Sequence, residues 1–306
     1  MDEFPRITVI TPSLNQAQFL EQTIRSVLDQ NYPNLEYIVI DGGSTDGSVD
    51  IIKRYEDRVA YWVSETDRGQ SHAINKGLKR ATGEIIAYLN SDDFYLPGAL
   101  HRVAEVSRRR PETDLIHGRC RSVDAMGNKV GEFFGDISTY SEILDLWDIW
   151  WGRRNFVQPE VFWTKRITDR IGSFRENLHF GMDYDFWTRI LRTGATVARL
   201  DIELACFRLQ PNQKSNDRTR AAAELLSIVR PLLWERHPAV SWPRRLTLQG
   251  AWLFTVVFGR EAAKSLERGE GRLRRWPRLM WLVLKHPQML AVRGFHRRLT
   301  NTLLPH

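Results

Sequence analysis

The segment Asn90-Ser91-Asp92-Asp93-Phe94 follows directly on Ile85-Ile86-Ala87-Tyr88-Leu89, an apolar run that reads as a buried strand. Two adjacent carboxylates at the C-terminal end of a parallel-type strand lie where open α/β sheets collect ligands. Their mutual repulsion calls for a cation or for hydrogen-bond donors. The chemistry that suits such a pair is metal-assisted binding of a phosphate-bearing ligand. A lone Ser-Asp-Asp is also an ordinary solvated turn. The ligand reading gains because further acidic signals fall at the ends of neighbouring strands.

Arg6–Thr11 and Leu35–Ile40 read as strands rich in β-branched residues, each ending in polar punctuation. Between them Phe19 to Gln30 places Leu20, Ile24, Val27 and Leu28 on one helical stripe, giving a right-handed strand–helix–strand crossover. The second strand runs into Asp41-Gly42-Gly43-Ser44-Thr45-Asp46-Gly47-Ser48, so Asp41 sits at a strand tip and Ser48 is expected to cap a helix over Val49 to Tyr55. A third unit has a strand over Val59 to Ser64, then Glu65-Thr66-Asp67-Arg68-Gly69-Gln70-Ser71, then a helix carrying Ala73, Ile74, Gly77 and Leu78 that Gly83 should close. After Asp92-Asp93, Pro97-Gly98-Ala99-Leu100 opens another helix, and Arg108-Arg109-Arg110 complements its dipole without needing a ligand.

Two nucleotide-binding designs are excluded by the loops. The first turn, Thr11-Pro12-Ser13-Leu14-Asn15-Gln16, has no glycine and cannot make the G-x-G-x-x-G approach to a dinucleotide pyrophosphate. Nor does the chain contain G-x-x-x-x-G-K-[ST], the phosphate loop of nucleoside-triphosphate hydrolases.

Four motifs in order, Ile10-Thr11-Pro12-Ser13-Leu14-Asn15, Asp41 to Ser48, Asp67-Arg68-Gly69-Gln70 leading into Ala73-Ile74-Asn75-Lys76-Gly77, and Leu89-Asn90-Ser91-Asp92-Asp93, resemble those of the family 2 glycosyltransferases. None would suffice alone. The resemblance covers residues 6–216 and implies a GT-A fold: a Rossmann-like α/β nucleotide-binding sheet with helices on both faces, continuous with an acceptor-binding half. It further implies that Pro12, Ser13, Asn15, Asp41, Gly69 and Gln70 bind the donor nucleotide. Asp92 would be the ribose-side carboxylate and Asp93 the ligand of a divalent Mn²⁺ or Mg²⁺ ion. A hard cation with one or two protein carboxylates, phosphate oxygens and water can neutralise a departing diphosphate.

The same resemblance extends into the second half. Gly181-Met182-Asp183-Tyr184-Asp185-Phe186-Trp187 leads a helix anchored by Phe186, Trp187, Ile190 and Leu191. A carboxylate near a helix N-terminus is a plausible structural cap. The resemblance makes Asp183, rather than Asp185, the base that activates an acceptor hydroxyl, with single displacement and inversion as the outcome. With a pKa of about 3.9 such a base would take its proton late, as the new bond forms. Phe156-Val157-Gln158-Pro159-Glu160-Val161-Phe162-Trp163 resembles the segment beside the acceptor site; its aromatics are a sugar platform or, more in keeping with their size, core. Cys206 to Ser215 resembles the loop that closes over the diphosphate. Arg208 and Ser215 are the candidates there, although an Arg after a strand equally suits a surface ion pair.

Two positions depart from the family pattern. Gln210 stands where many relatives have a His that can ligate metal, and a neutral amide coordinates less strongly. His72 occupies a commonly acidic place and is expected to be structural or to make a donor-side hydrogen bond.

With 42% hydrophobic and 26% charged residues, the 306-residue chain has a globular composition and enough length for a large core. Its charge of +7 is uneven: residues 231–306 hold 14 Lys or Arg against 4 Asp or Glu, a balance of +10, which leaves −3 for the rest. That tail carries Trp234, Trp242, Trp252, Trp276 and Trp281. Trp and Arg mixed with aliphatic residues suit an anionic membrane surface better than nucleic acid, and the alternative is a helical appendage packed on protein. The longest apolar run, Gly250 to Gly259, falls short of the ~20 residues a bilayer span needs. Met1-Asp2-Glu3-Phe4-Pro5 does not read as a signal peptide, and Cys120 with Cys206 suggests neither a disulfide framework nor a zinc site, so a cytoplasmic setting at the inner membrane face is expected.

The sequence thus reads as residues 1–216, a catalytic domain with a nucleotide-sugar half (1–117) and an acceptor half (118–216), and 217–306, a basic helical extension. Its expected activity is inverting transfer from a nucleotide sugar, a UDP-sugar before others, to a glycan or lipid-linked acceptor of cell-surface polysaccharide synthesis. A sugar nucleotidylyltransferase would share the fold type and metal but needs a glycine-rich first loop with a basic residue, which Pro12 to Gln16 does not offer. A non-catalytic binding subunit of the same fold is opposed by the presence of both Asp93 and Asp183.

Overall fold

The computed structural model describes residues 4–258, apart from 153 and 212, and residues 272–291. Contacts divide the chain into two compact units, Met1–Glu224 and Leu225–His306.

The first unit is built on one mixed sheet. Strands β1 (Ile7–Ser13), β2 (Leu35–Asp41), β3 (Tyr61–Ser64) and β4 (Ile85–Tyr88) are parallel in the order β3-β2-β1-β4. Helices α1 (Ala17–Leu28), α2 (Ser48–Lys53) and α3 (Gln70–Leu78) connect them. The steps from β1 to β3 run one way and the step to β4 runs back past β1. Right-handed crossovers therefore put α1 and α2 on one face and α3 on the other. The reversal falls between β1 and β4, so ligands should collect beyond Ser13 and Leu89. Both faces of the strands are covered, and every residue of β1 and β4 is buried. The α1 stripe Leu20, Ile24, Val27 and Leu28 packs into this core as its periodicity predicts.

After the short β5 (Phe94–Tyr95) and α4 (Ala99–Arg109), the sheet continues through β6 (Leu115–Val123), β7 (Lys129–Phe134), β8 (Val161–Thr164) and β9 (Val197–Arg208). Strand β8 lies antiparallel between β4 and β6, β9 runs parallel to β6 on its other edge, and β5 pairs antiparallel with β9. Helices α5 (Tyr140–Ile143), α6 (Lys165–Ile171) and α7 (Met182–Arg192) complete this half, and α8 (Arg218–Trp234) starts in it. Phe156, Phe162 and Trp163 are buried, with Trp163 packed edge-on against Phe174, Phe186 and Trp187. These aromatics are core, not a sugar platform.

In the second unit α9 (Trp242–Leu253) runs into a π-helical turn at Phe254–Phe258, and α10 covers Arg272–Lys285. Trp242 and Trp281 are exposed, whereas Trp252 is buried and donates its Nε1 hydrogen to the Leu226 carbonyl. The Trp276 side chain and residues 259–271 and 292–306 lie outside the described residues. Among the described residues no helix is long and apolar enough to cross a membrane.

Three local expectations are corrected. Gly83 does not close α3, which ends at Leu78; it leads into β4, and a Cβ there would lie 2.5 Å from Thr8 Oγ1 and 2.6 Å from Thr8 N, so close strand approach is its reason. Ser48 does not cap α2: its Oγ bonds Asp46 Oδ1 (2.6 Å) and accepts from Gln16 N (3.2 Å). Arg208 is neither a surface residue nor extended toward a diphosphate. It is 2% exposed, its Nε donates to the Asp92 carbonyl (2.8 Å), Nη1 to the Ala125 (2.8 Å) and Asp124 (3.4 Å) carbonyls, and Nη2 to Gln22 Oε1 (2.6 Å). The guanidinium also stacks over Phe19 and Phe94.

Arg208 therefore clamps the Asp92-Asp93 turn, the β6–β7 turn and α1 together. Removing it leaves four part-buried acceptors without donors and empties the space of a buried side chain against Phe19 and Phe94, so Arg208→Ala should cost on the order of 3 kcal/mol. Arg208→Lys should not restore the loss, because one ammonium cannot copy a planar fork. Urea denaturation midpoints followed by Trp fluorescence measure this, and unchanged midpoints would refute the clamp.

Candidate active site

Two stitched loops form the tips of β1 and β2. Asp41, fully buried, accepts from Gly43 N (3.1 Å), Ser44 N (2.8 Å) and Ser64 Oγ (2.7 Å) on Oδ2 and from Ser44 Oγ (2.5 Å) on Oδ1. Four donors fill a carboxylate's acceptor sites, so in this state Asp41 organises its own turn. Asn15 adopts a left-handed backbone (φ 52), and its Oδ1 accepts from Thr45 N (2.9 Å) while its N donates to Ser44 Oγ (2.8 Å). Pro12 is buried, and Ser13 Oγ is buried without a hydrogen-bond partner. Asp46 accepts from Ala17 N (2.8 Å) at the start of α1. Burial works against its charge, but the bonds from Ser48 and Ala17 prevail and hold its pKa below the ordinary value.

The loop before α3 brings the next pair. Gly69 has φ 111, a conformation suited to glycine, and its N donates to Asp67 Oδ1 (2.7 Å). Gln70 then opens α3 with Nε2 on Asn90 Oδ1 (2.7 Å) and Oε1 accepting from Lys214 Nζ (3.3 Å). Farther along α3, Ser71 Oγ reaches Met182 Sδ (2.8 Å), and Asn75 exchanges hydrogen bonds with the backbone of Phe174 (both 2.9 Å). One face of α3 is thereby tied to Phe174 and to Met182 at the start of α7. The contact of His72 is local, its Nδ1 accepting from Arg68 N (3.2 Å).

At the tip of β4, Thr23 Oγ1 on α1 donates to the carbonyls of Ser91 (3.0 Å) and Asp93 (2.7 Å), fixing the acidic turn. Asp93 is 1% exposed. Its Oδ1 accepts from Arg208 N (2.9 Å), and its Oδ2 has a 3.4 Å contact from Asn90 Nδ2, weak by its length. Asp92 Oδ2 accepts from Gln210 Nε2 (2.9 Å). Burial pushes both carboxyls above the ordinary carboxylate range, and in Asp93 the charge of Asp92 adds to it. A cation near them would favour their charged forms. Among the described residues no group of three or more His, Cys, Asp or Glu could hold a metal by itself. The pair fits a hard cation that completes its shell with phosphate oxygens and water, with Asp93 Oδ2 as the under-bonded ligand.

The other end is Asp183, in the first turn of α7 and partly open to solvent. Tyr184 N donates to its Oδ1 (2.7 Å). Burial pushes its pKa up to about 6; the Tyr184 amide and Lys214 oppose that rise and Glu224 adds to it. Asp185, the rival from the same motif, is 3% exposed and bound by Arg175 (3.0 Å) and Arg189 (2.9 Å), a structural ion-pair cluster. The buried Tyr88 phenol feels both Asp183 and Asp93, which with burial raise its pKa well above the usual value. Tyr88 is thus within electrostatic reach of both carboxylates, and hydrogen bonds run from Lys214 through Gln70 to Asn90, which makes the weak contact to Asp93.

Lys214 escaped the sequence reading. Burial lowers its pKa while Asp183 and Glu224 oppose the fall, so it is a cation on the Asp183 side, in the loop for which Arg208 and Ser215 were the candidates. Its position one residue before Ser215 was the available signal. The Ser215 side chain lies outside the described residues. Asn90 and Gln158 were likewise passed over as flanking polar residues. Asn90 Nδ2 also donates to Gln158 Oε1 (3.0 Å), and Gln158 Nε2 donates to the Tyr88 carbonyl.

The chain is similar to known proteins. TuaG of Bacillus subtilis (strain 168), a glycosyltransferase named for teichuronic acid biosynthesis, is 29% identical over 268 residues, covering 85% of this chain and 97% of that protein. An uncharacterized glycosyltransferase of Haemophilus influenzae is 36% identical over 129 residues, 41% of this chain and 51% of its own. Among solved structures, S. aureus TarS 1-349 in complex with UDP-GlcNAc superposes with a TM-score of 0.68 at 16% identity, covering 97% of this chain and 88% of that one. The mannosyltransferase PcManGT from Pyrobaculum calidifontis, in complex with GDP-Man and Mn²⁺, gives 0.61 at 18% identity over 98% and 84%. At such identities these two establish the fold, which is of the GT-A type. The model of glycosyl transferase family 2 matches residues 8–175, more than half of the sequence, and the chain belongs to that family.

Proposed function

We propose that this glycosyltransferase moves a sugar, with inversion, from a nucleotide-diphosphate donor to an acceptor hydroxyl activated by Asp183. The observation that carries the reading is the contrast between Asp183 and Asp185: two carboxylates in one helical turn, of which one is consumed by Arg175 and Arg189 and the other is held near pKa 6 and, like Asp93, acts on the buried Tyr88. A base with that pKa is largely ionised at neutral pH and accepts a proton more readily than the value of about 3.9 expected from sequence. Donor nucleotide binding falls to the strand tips that carry Pro12, Ser13, Asn15, Asp41, Gly69, Gln70 and Asp92. Asp41 would serve a base or ribose by exchanging one of its four internal donors. Asp93 would hold a Mn²⁺ or Mg²⁺ ion, which when bound supplies Lewis-acid neutralisation of the leaving diphosphate. Lys214, rather than Arg208, is the side chain placed to meet phosphate charge.

A UDP-sugar donor is supported by the fold shared with TarS, whose structure contains UDP-GlcNAc. The name of TuaG supports a cell-surface polysaccharide as product. For the second unit we propose peripheral attachment to anionic lipid at the cytoplasmic face, supported by the +10 balance of residues 231–306 and by exposed Trp242, Trp281 and Leu284.

In a hydrolysis screen over nucleotide sugars with Mg²⁺ or Mn²⁺, turnover should rise with pH through about 6, because the base must lose its proton, and Asp183→Asn should remove ~10² or more of kcat together with that limb. Retained turnover in Asp183→Asn would move the base elsewhere. Calorimetry with UDP should show that Asp93→Ala abolishes the gain in affinity given by Mn²⁺, and an unchanged gain would remove the metal assignment. Full-length protein should sediment with phosphatidylglycerol vesicles, be released by ~0.5 M salt, and bind less when Trp242 and Trp281 are both changed to Ala; equal sedimentation of the double variant would refute the membrane reading.

A further inference from the structure

Three consecutive backbone N–H groups, those of His179, Phe180 and Gly181, point at one carboxylate that comes from α8. His179 N donates to Glu224 Oε1 (2.9 Å), and Phe180 N (2.5 Å) and Gly181 N (2.6 Å) donate to Glu224 Oε2. Gly181 is the residue that starts α7, two places before Asp183. The carboxylate thus lies just ahead of the positive end of the helix that presents the base, on the amides of the three residues that lead into it. Burial works against the charge of Glu224, yet the three amides prevail and hold its pKa below the ordinary value. An anion secured in this way fixes the path of 179–181 and with it the direction from which Asp183 faces the site.

We propose that Glu224 is the positioning residue for Asp183, holding the base-bearing turn by three amides and keeping a negative charge beside it. The role rests on the reading of Asp183 as the base. The charged and titratable groups around Asp183 are Lys214 from the turn after β9, Glu224 from α8 and the Tyr88 phenol from β4, together with the Tyr184 amide of α7 itself. Lys214 favours the ionised form of Asp183, and Glu224 disfavours it. Glu224 and Lys214 interact as well, so the lysine is shared between the two carboxylates.

The test is a carboxyl-carbon NMR titration of the whole protein labelled at Asp, with Asp183→Asn to assign the resonance. Wild type should titrate at about 6. Glu224→Gln keeps the size but removes the charge and turns an amide NH₂ toward donors. It should move that titration down by about half a unit or more and speed amide exchange at 179–181 by ~10-fold. An unmoved titration in folded Glu224→Gln overturns the proposal while leaving Asp183 as the base. The absence of any resonance near 6 that Asp183→Asn removes sinks the base reading itself, and the positioning role with it. If Glu224→Gln does not fold, Glu224→Asp decides: it keeps the charge but is one methylene short, so the titration should stay while exchange at 179–181 quickens. Exchange as slow as in wild type would overturn the proposal.

Discussion

The acidic turn after β4 keeps its shape because one buried guanidinium holds it from behind. Arg208 spends its side chain on carbonyls of Asp92, Asp124 and Ala125 and on Gln22, while its main-chain N–H goes to Asp93 Oδ1. Two neighbouring carboxyls in a buried position repel each other and lose hydration, and both effects show in their raised pKa values. A turn under that load needs rigid support, which an Arg fork stacked on Phe19 and Phe94 supplies. The remaining parts of the site depend on it. Asn90 finds Gln70 and Gln158 only because the turn is fixed, and Gln70 in turn orients Lys214.

The site is polar at every step but charged only at its ends. Lys214, whose charge acts on Asp183, is connected toward the Asp92-Asp93 pair through the neutral amides of Gln70 and Asn90. Neutral links transmit position without adding charge that would compete with a phosphate for the cation. Glu224 adds negative charge on the Asp183 side, and its pKa stays low because backbone amides, not a lysine, satisfy it.

Much of the first half was legible before folding. β-Branched content marked β1 and β2, an apolar run marked β4, and the acidic residues fell where strand ends do. Side-chain role was less legible than position. Arg208 and Asp41 end their strands where ligands collect, yet Arg208 faces inward, and Asp41 is saturated by Gly43 and Ser44 together with Ser64 of β3; sequence order alone brings neither Ser64 to Asp41 nor its partners to Arg208. Gly83 reads as a helix terminator locally, but only the approach of β1 explains it. Asp183 and Asp185 differ by two positions, and the resemblance favours Asp183; the ion pairs that occupy Asp185 come from Arg189 one turn along α7, a spacing visible in sequence, and from Arg175 before the helix, whose approach is not. Strands β6 and β9 carry charged residues throughout and lack clean alternation, so they could not be read from pattern.

Strand β8 bonds to β4 on one edge and to β6 on the other, so the parallel strands β3-β2-β1-β4 and the later strands are courses of the same masonry. A continuous hydrogen-bonded sheet resists shear along that seam. Any rearrangement around the strand tips must therefore fall to the loops and side chains set upon the wall.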